Sequence, residues 1–243
     1  MVFQDPMSSL TPHLRIATQL SEVLVCHRGM SWRDSEQAAL RMLDRVRVPE
    51  AKRRLRQYPH QLSGGMRQRV TIATALLTEP EILIADEPTT ALDVTVQAQI
   101  IELLRELNRD LGTAIILITH DMGVVAGLAD DVMVMYAGRT VERASAQALF
   151  ENPTHPYTRG LLDALPRLDD ADGSHDIDAP LRTIAGNPPA PGEAIEGCAF
   201  APRCALAKDR CHTTRPELEA IAGQPDGWRA CLRPVGEMME VVR

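Results

Sequence analysis

Aromatic residues make up only 3% of this 243-residue chain. Its cores must therefore be filled mainly by Leu, Ile, Val, Ala and Met. There is no run of eighteen apolar residues, so no segment reads as a membrane-spanning helix. The opening stretch, MVFQDPMSS, lacks the basic and apolar regions of a secretory leader, and the expected compartment is the cytoplasm. Positive charge is not in excess: 26 Lys and Arg stand against 33 Asp and Glu, a net charge of −7. With no Lys/Arg stripe, that balance argues against nucleic acid as a partner. Cysteine is scarce outside the tail. Cys26 is alone, whereas Cys198, Cys204, Cys211 and Cys231 crowd together. Without an export signal, such a cluster reads as a metal or cluster site before it reads as disulfides. What is present is enough for a core. Hydrophobic residues are 44% of the chain, and the length fits one large domain, or one domain plus an appendage.

The chemistry concentrates between Leu62 and Asp93, which reads LSGGMRQRVTIATALLTEPEILIADEPTTALD. Leu62-Ser63-Gly64-Gly65 is a polar turn whose glycines let backbone approach a ligand closely. A helical pattern follows from Met66 to Leu77. A turn running into a helix start presents free N–H groups and the positive end of the helix dipole, which suits a phosphate. Ile82 to Ala85 is a short apolar run of buried-strand type, and it ends in Asp86-Glu87. Acids at the carboxyl end of such a strand sit where open α/β sheets bind ligands. One carboxylate there commonly serves Mg²⁺ while the other polarises a water. Thr90-Ala91-Leu92-Asp93 is a polar turn just beyond. A Ser-Gly-Gly turn or an acid pair alone is weak. Both, in this order and joined by one helix, exclude a chance surface pattern.

This stretch resembles the nucleotide-binding subunit of ATP-binding cassette (ABC) transporters. LSGGMRQR is similar to the family's signature motif, ILIADE to its Walker B strand with the catalytic glutamate, and TALD to its D-loop. The match extends outward. VFQDPMSSLTP resembles the Q-loop, with Gln4 expected to touch Mg²⁺ and the attacking water. ILITHD resembles the H-loop, with His120 expected near the γ-phosphate. NPTHPYT, followed by GCAFAPRCALAKDRC and WRACL, resembles the marker and tail of the oligopeptide, dipeptide and nickel branch of importers.

Around these motifs the residues predict alternating helices and strands. Leu14, Thr18, Ser21 and Val25 mark a first helix. Ser35 is a candidate cap for a second, with Ala39, Leu43 and Val46 on one face, and Pro49 opens a third. By resemblance, about 13–77 is a helical subdomain that meets the transmembrane partner. Further on, Thr95–Arg109 reads as a helix with Ala98, Ile101, Leu104 and Asn108 along its stripe. Ala114–Ile118 and Val132–Met135 read as strands, Met122–Leu128 as a short helix, and Tyr136 to Arg139 as a hairpin turn. Continuous apolar strands separated by helices predict a parallel sheet covered on both faces. The expected fold is thus α/β: a P-loop NTPase-like parallel sheet core, N-terminally incomplete, with a helical subdomain and a small Cys-rich C-terminal extension. The expected division is a partial ATPase domain over 1–142 and a peptide-importer-type extension over 143–243. Residues 167–192, rich in Asp, Pro and Gly, read as linker.

No G-x-x-x-x-G-K-[ST] occurs in the sequence. That loop cradles nucleotide phosphates and places a Lys on them. A late start, a truncation or a fragment would each account for its absence. The resemblance implies a peripheral subunit on the cytoplasmic face of the membrane, paired with an identical or sister ATPase. It would sit on permease subunits, served indirectly by an extracytoplasmic solute-binding protein. Its implied solute is a di- or oligopeptide, or nickel. ATP and Mg²⁺ are the implied cofactors. Glu87, His120 and Gln4 are the implied catalytic residues, and Ser63, Gly64, Gly65, Asp86 and Asp93 the implied nucleotide contacts, with Asp86 and Gln4 serving Mg²⁺. Two other readings stay open: a non-transport ABC protein, and a catalytically incomplete partner that lends its signature motif to a sister ATPase.

The tail cysteines are spaced C-x5-C-x6-C-x19-C. The short gaps are wide for zinc, which usually pairs its ligands as C-x₂₋₄-C. Iron–sulfur clusters also take four thiolates. Some members of the resembled family carry a [4Fe–4S] cluster here, which favours a cluster over Zn²⁺. Its expected role is to staple an extension with little core of its own.

Overall fold

The computed structural model describes residues 1–90, 92–165, 183–190 and 192–235. Most of the expected linker and Ala91 of the TALD turn lie outside them. By internal contacts the chain forms two compact units, Met1–Asp121 and Met122–Arg243. The hairpin after Asp130, expected with the ATPase core, therefore packs with the tail.

The first unit begins with helices α1 (Pro6–Ser9), α2 (Ile16–Arg28), α3 (Trp32–Arg45), α4 (Ala51–Arg54) and α5 (Gly64–Leu76). They close around Ile16, Leu20, Leu24, Leu43, Ile72 and Leu76. The buried face of α2 is thus rotated from the predicted stripe: Ser21 is buried, but Ile16, Leu20 and Leu24 carry the packing. The cap of α3 also differs. Ser31 is the N-cap, accepting from the Asp34 N–H at 3.1 Å and donating to its carboxylate at 2.7 Å. That reciprocal pair leaves Ser35 inside the helix, fully buried.

Strand β1 (Ile82–Asp86), helix α6 (Val94–Leu111) and strand β2 (Ala114–Ile118) complete this unit. β1 and β2 pair in parallel from Ile82↔Ala114 to Asp86↔Ile118. Val2 adds a parallel bridge to Ala85 on the other side of β1. α6 buries Ile100, Ile101, Leu103, Leu104 and Leu107, and it stops at Gly112, whose φ of +66° suits a residue without Cβ. Its stripe is again displaced from the predicted one, because Ala98 and Asn108 are exposed. Only one face of the parallel pair is well covered. Leu83 and Ala85 are buried, whereas Ile82, Ile116 and Ile118 are about half exposed, which corrects the expected double coverage.

The second unit holds α7 (Met122–Leu128), β3 (Asp131–Tyr136), β4 (Arg139–Ser145), α8 (Ala146–Glu151), α9 (Pro156–Asp163), α10 (Asp209–Thr213), β5 (Glu219–Ala220) and β6 (Trp228–Arg229). β3 does not extend a parallel sheet. Ala137 and Gly138, both at positive φ, form a two-residue turn that sends the chain straight back into antiparallel β4. The order β3-β4-β6-β5 stitches the tail to this hairpin. The tail also has the core it was expected to lack. Tyr136, Tyr157 and Phe200 meet with ring centroids 4.7–5.4 Å apart, over Val132, Val134, Val141 and Leu149. Among the described residues no helix is long and apolar enough to cross a membrane.

Candidate functional site

β1 delivers Asp86 and Glu87 to the end of the parallel pair. The chain is gripped on both sides there: Asp86 N–H donates to Val2 O at 2.9 Å and Glu87 N–H to Ile118 O at 2.8 Å. Glu87 sits at φ +43°, a left-handed conformation costing a non-glycine residue on the order of 1–3 kcal/mol. Such strain persists only where the surroundings over-determine it. Here three side chains do so. The Gln4 amide donates to Oε2 at 2.8 Å and the Thr90 hydroxyl to the same oxygen at 2.8 Å. His120 Nδ1 lies 3.2 Å from Oε1. Hydrogen bonds from Thr90 first, then His120, hold the Glu87 carboxyl below the usual carboxylate range, against the desolvation that would raise it. The Glu87 side chain is 25% exposed and His120 75% exposed.

Gln4, Glu87 and His120 are residues the family resemblance implies, whereas Thr90 has no role in it. Its position three residues after Glu87 in a turn was the available signal, since Thr90 N–H also donates to Glu87 O at 3.1 Å. Asp121 helps set this loop: its carboxylate accepts from the Gln97 amide of α6 at 2.7 Å, and its N–H donates to the Thr119 hydroxyl oxygen at 3.0 Å.

The signature residues stand at the start of α5. Ser63 is its N-cap and accepts from Met66 N–H at 3.3 Å. A Cβ at Gly65 would meet Val96 Cγ1 at 2.6 Å, so this glycine allows a close approach to α6. Asp93 caps α6, accepting from Val96 N–H at 3.0 Å. Its carboxylate is thus tied to its own helix.

In the second unit, Glu142 is fully buried on β4. It accepts from the Thr154 N–H and hydroxyl, both at 2.6 Å, and from the His155 N–H at 3.0 Å. Arg229 of β6 donates to Thr154 O at 3.1 Å. The NPTHPYT stretch is therefore a clamp joining β4, α9 and β6. His155 Nδ1 accepts from Tyr157 N–H at 3.1 Å, which requires the neutral ring. Burial, then the Arg229 charge, push this imidazole down to about 4.

Cys198, Cys204, Cys211 and Cys231 line one small cavity, together with His155 and Phe200. Burial pushes the Cys198, Cys204 and Cys231 thiols up. Among the described residues no three His, Cys, Asp or Glu side chains stand close enough together to hold a metal ion. Cys26 is exposed on α2, in the other unit.

Residues 1–90 match the family model described as ABC transporter, and residues 141–211 the one described as oligopeptide/dipeptide transporter, C-terminal region. The oligopeptide transport ATP-binding protein OppD of Salmonella typhimurium is 55% identical over 239 residues, covering 98% of this chain and 69% of that protein. The chain belongs to the ATP-binding subunits of ABC transporters. OppD of Escherichia coli is 54% identical, over 98% of this chain and 68% of its own length. A putative peptide import ATP-binding protein of Brucella melitensis is 52% identical, over 91% of this chain and 65% of its own. The chain thus spans about two thirds of the length of these relatives. Among solved structures, cbiO1 of Clostridium perfringens, part of an ABC transporter complex, superposes with a TM-score of 0.55 at 32% identity, covering 62% of this chain and 58% of that one. A dimeric ATP-binding cassette in a post-hydrolysis state with ADP and phosphate reaches 0.51 at 32% identity, covering 59% and 62%.

Proposed function

We propose that this ABC subunit energises peptide import and carries the water-polarising half of an ATPase site. The observation that carries the reading is the convergence of Gln4, Thr90 and His120 on one carboxylate, Glu87. A carboxylate held ionised by donors is suited to orient and deprotonate an attacking water. Gln4 and His120 position that water against the terminal phosphate. Asp86, next to Glu87 at the end of β1, would hold Mg²⁺, which would supply positive charge to offset that of the phosphates. Ser63, Gly64 and Gly65 offer the start of α5 to the nucleotide of a partner ATPase, and Asp93 bridges to that partner. Residues 1–142 form the partial ATPase domain in this reading and 143–243 the importer-type extension. The relatives' names point to peptides, and oligopeptides among them, as cargo; in this reading permease subunits are the membrane partners.

The four tail cysteines hold an iron–sulfur cluster in this reading, or zinc as the other outcome. The reading rests on the chemistry of four thiols lining one small cavity; it requires them to draw closer on binding, since among the described residues no three stand close enough to hold a metal ion.

The sequence contains no G-x-x-x-x-G-K-[ST] loop, so this chain alone should bind MgATP weakly. Fused behind a segment that carries a G-x-x-x-x-G-K-[ST] loop from an ABC ATPase, it should bind MgATP and hydrolyse it. Calorimetry and phosphate release measure both. Tight Mg-dependent binding by the unfused chain, or an inactive fusion that binds ATP normally, would overturn the proposal.

A further inference from the structure

A partly open cavity in the second unit lies away from the nucleotide residues. It is a cavity of about 260 Å³ between the β3–β4 turn and the segments around 195–200 and 215–218. At roughly 30 Å³ per water in the liquid, it has room for about nine water-sized atoms. Its walls include the buried side chains of Val141 and Phe200, with Leu218 beside them at 38% exposed. Its polar lining is of a different kind. Arg139, Arg215 and Glu217 all line it and are all exposed. Among the described residues none of the three is in an ion pair. Arg215 spends one guanidinium nitrogen on the Ile195 carbonyl, which fixes its place without neutralising it.

An apolar chamber with a few convergent charged groups is the usual composition of a small-molecule site. Two guanidinium groups and one carboxylate at an apolar space ask for a ligand with an anionic end, a cationic end and an apolar body. Planar guanidinium groups suit a carboxylate best, because they can meet both oxygens at once. Glu217 suits an ammonium. We infer that this cavity binds a free apolar α-amino acid, its carboxylate on Arg139 and Arg215, its ammonium on Glu217 and its side chain against Val141, Phe200 and Leu218. Leucine has about as many heavy atoms as the cavity holds waters. The inference does not depend on the ATPase reading, since no residue of the cavity belongs to that machinery.

Backbone amide NMR of the full chain, titrated with L-leucine, tests it. Saturable shifts are expected at 139–141, 195–200 and 215–218, and not around Glu87. Arg139→Gln and Arg215→Ala should each weaken binding at least about tenfold, the size of one lost charge-assisted contact. Leucinamide, which lacks the carboxylate, should bind at least about tenfold more weakly. N-acetyl-leucine should lose its dependence on Glu217, so that Glu217→Gln no longer alters it. Arg215→Ala frees the Ile195 carbonyl and could unfold the segment. Leu218→Trp, which fills the space from a partly exposed position, then carries the test by abolishing the shifts in a folded chain. Absence of saturable shifts, shifts elsewhere, equal binding of leucinamide, or binding that survives Leu218→Trp would each overturn the inference.

Discussion

The Gln4 amide and the Glu87 carboxylate, eighty-three positions apart, meet across 2.8 Å. The contact depends on Val2, whose bridge to Ala85 lays the start of the chain along β1, so that Gln4 emerges level with the strand's acidic end.

In the fusion with the P-loop segment, Glu87→Gln should keep MgATP binding and lower turnover by roughly 10²–10⁴-fold, the contribution of a general base. Steady-state hydrolysis beside calorimetry checks this. Near-normal turnover would demote Glu87 to a structural residue.

Thr90→Ala in the same fusion removes the hydrogen bond that does most to hold the Glu87 carboxyl down. The kcat should fall roughly tenfold, as for loss of a hydrogen bond to a charged group, with KM little changed. Thr90→Ser, which keeps the hydroxyl, should restore most of it. Equal loss in both variants would mean that the methyl packing matters and the hydroxyl does not.

His155 makes the second unit sensitive to acid. Its pKa is about 4 when folded, against the ordinary imidazole value of 6.5. Between those values the unfolded chain binds more protons than the folded one. The resulting stability is complete above pH 6.5 and is lost as pH falls through 4, to a limit of roughly 3 kcal/mol. Urea unfolding of the metal-free protein at pH 7 and pH 5 should show the slope, and His155→Gln should flatten it. An unchanged slope in the variant would assign the effect to other groups.

Glu142 offers a sharper test of the same clamp. Thr154→Val removes one of its three donors while keeping the shape, and should cost about 1–3 kcal/mol, the penalty for leaving a buried acceptor short. A change below about 0.5 kcal/mol, the range of ordinary surface substitutions, would show that the remaining two donors suffice.

Anaerobically purified chain should be brown if the tail holds an iron–sulfur cluster. Changing Cys198, Cys204, Cys211 or Cys231 to Ser should bleach it, and Cys26→Ser should not. Colourless protein with about one zinc per chain would assign the site to zinc.

The sequence alone determined the local elements and the chemistry each motif carries. β1, β2, α7 and the hairpin turn were legible because strand periodicity and turn residues act over a few positions. Glu87 was legible as a candidate because an acid pair ends an apolar strand, and His120 because ILITHD resembles the H-loop. Helix faces were less so. The stripes of α2 and α6 shifted because several rotations of a helix with apolar residues on more than one face look alike until a neighbour selects one, and Ser35 gave up the cap to Ser31 because Asp34 could answer Ser31 in return. What only the tertiary structure decided is pairing at a distance. The two-residue turn at Ala137-Gly138 committed β3 to antiparallel β4, and β6 then docked on β4 from about ninety residues away. The Glu142–Thr154–His155–Arg229 clamp and the gathering of Tyr136, Tyr157 and Phe200 follow from that docking. Such contacts leave no periodic trace, because their energy arises only when separate segments exclude water together.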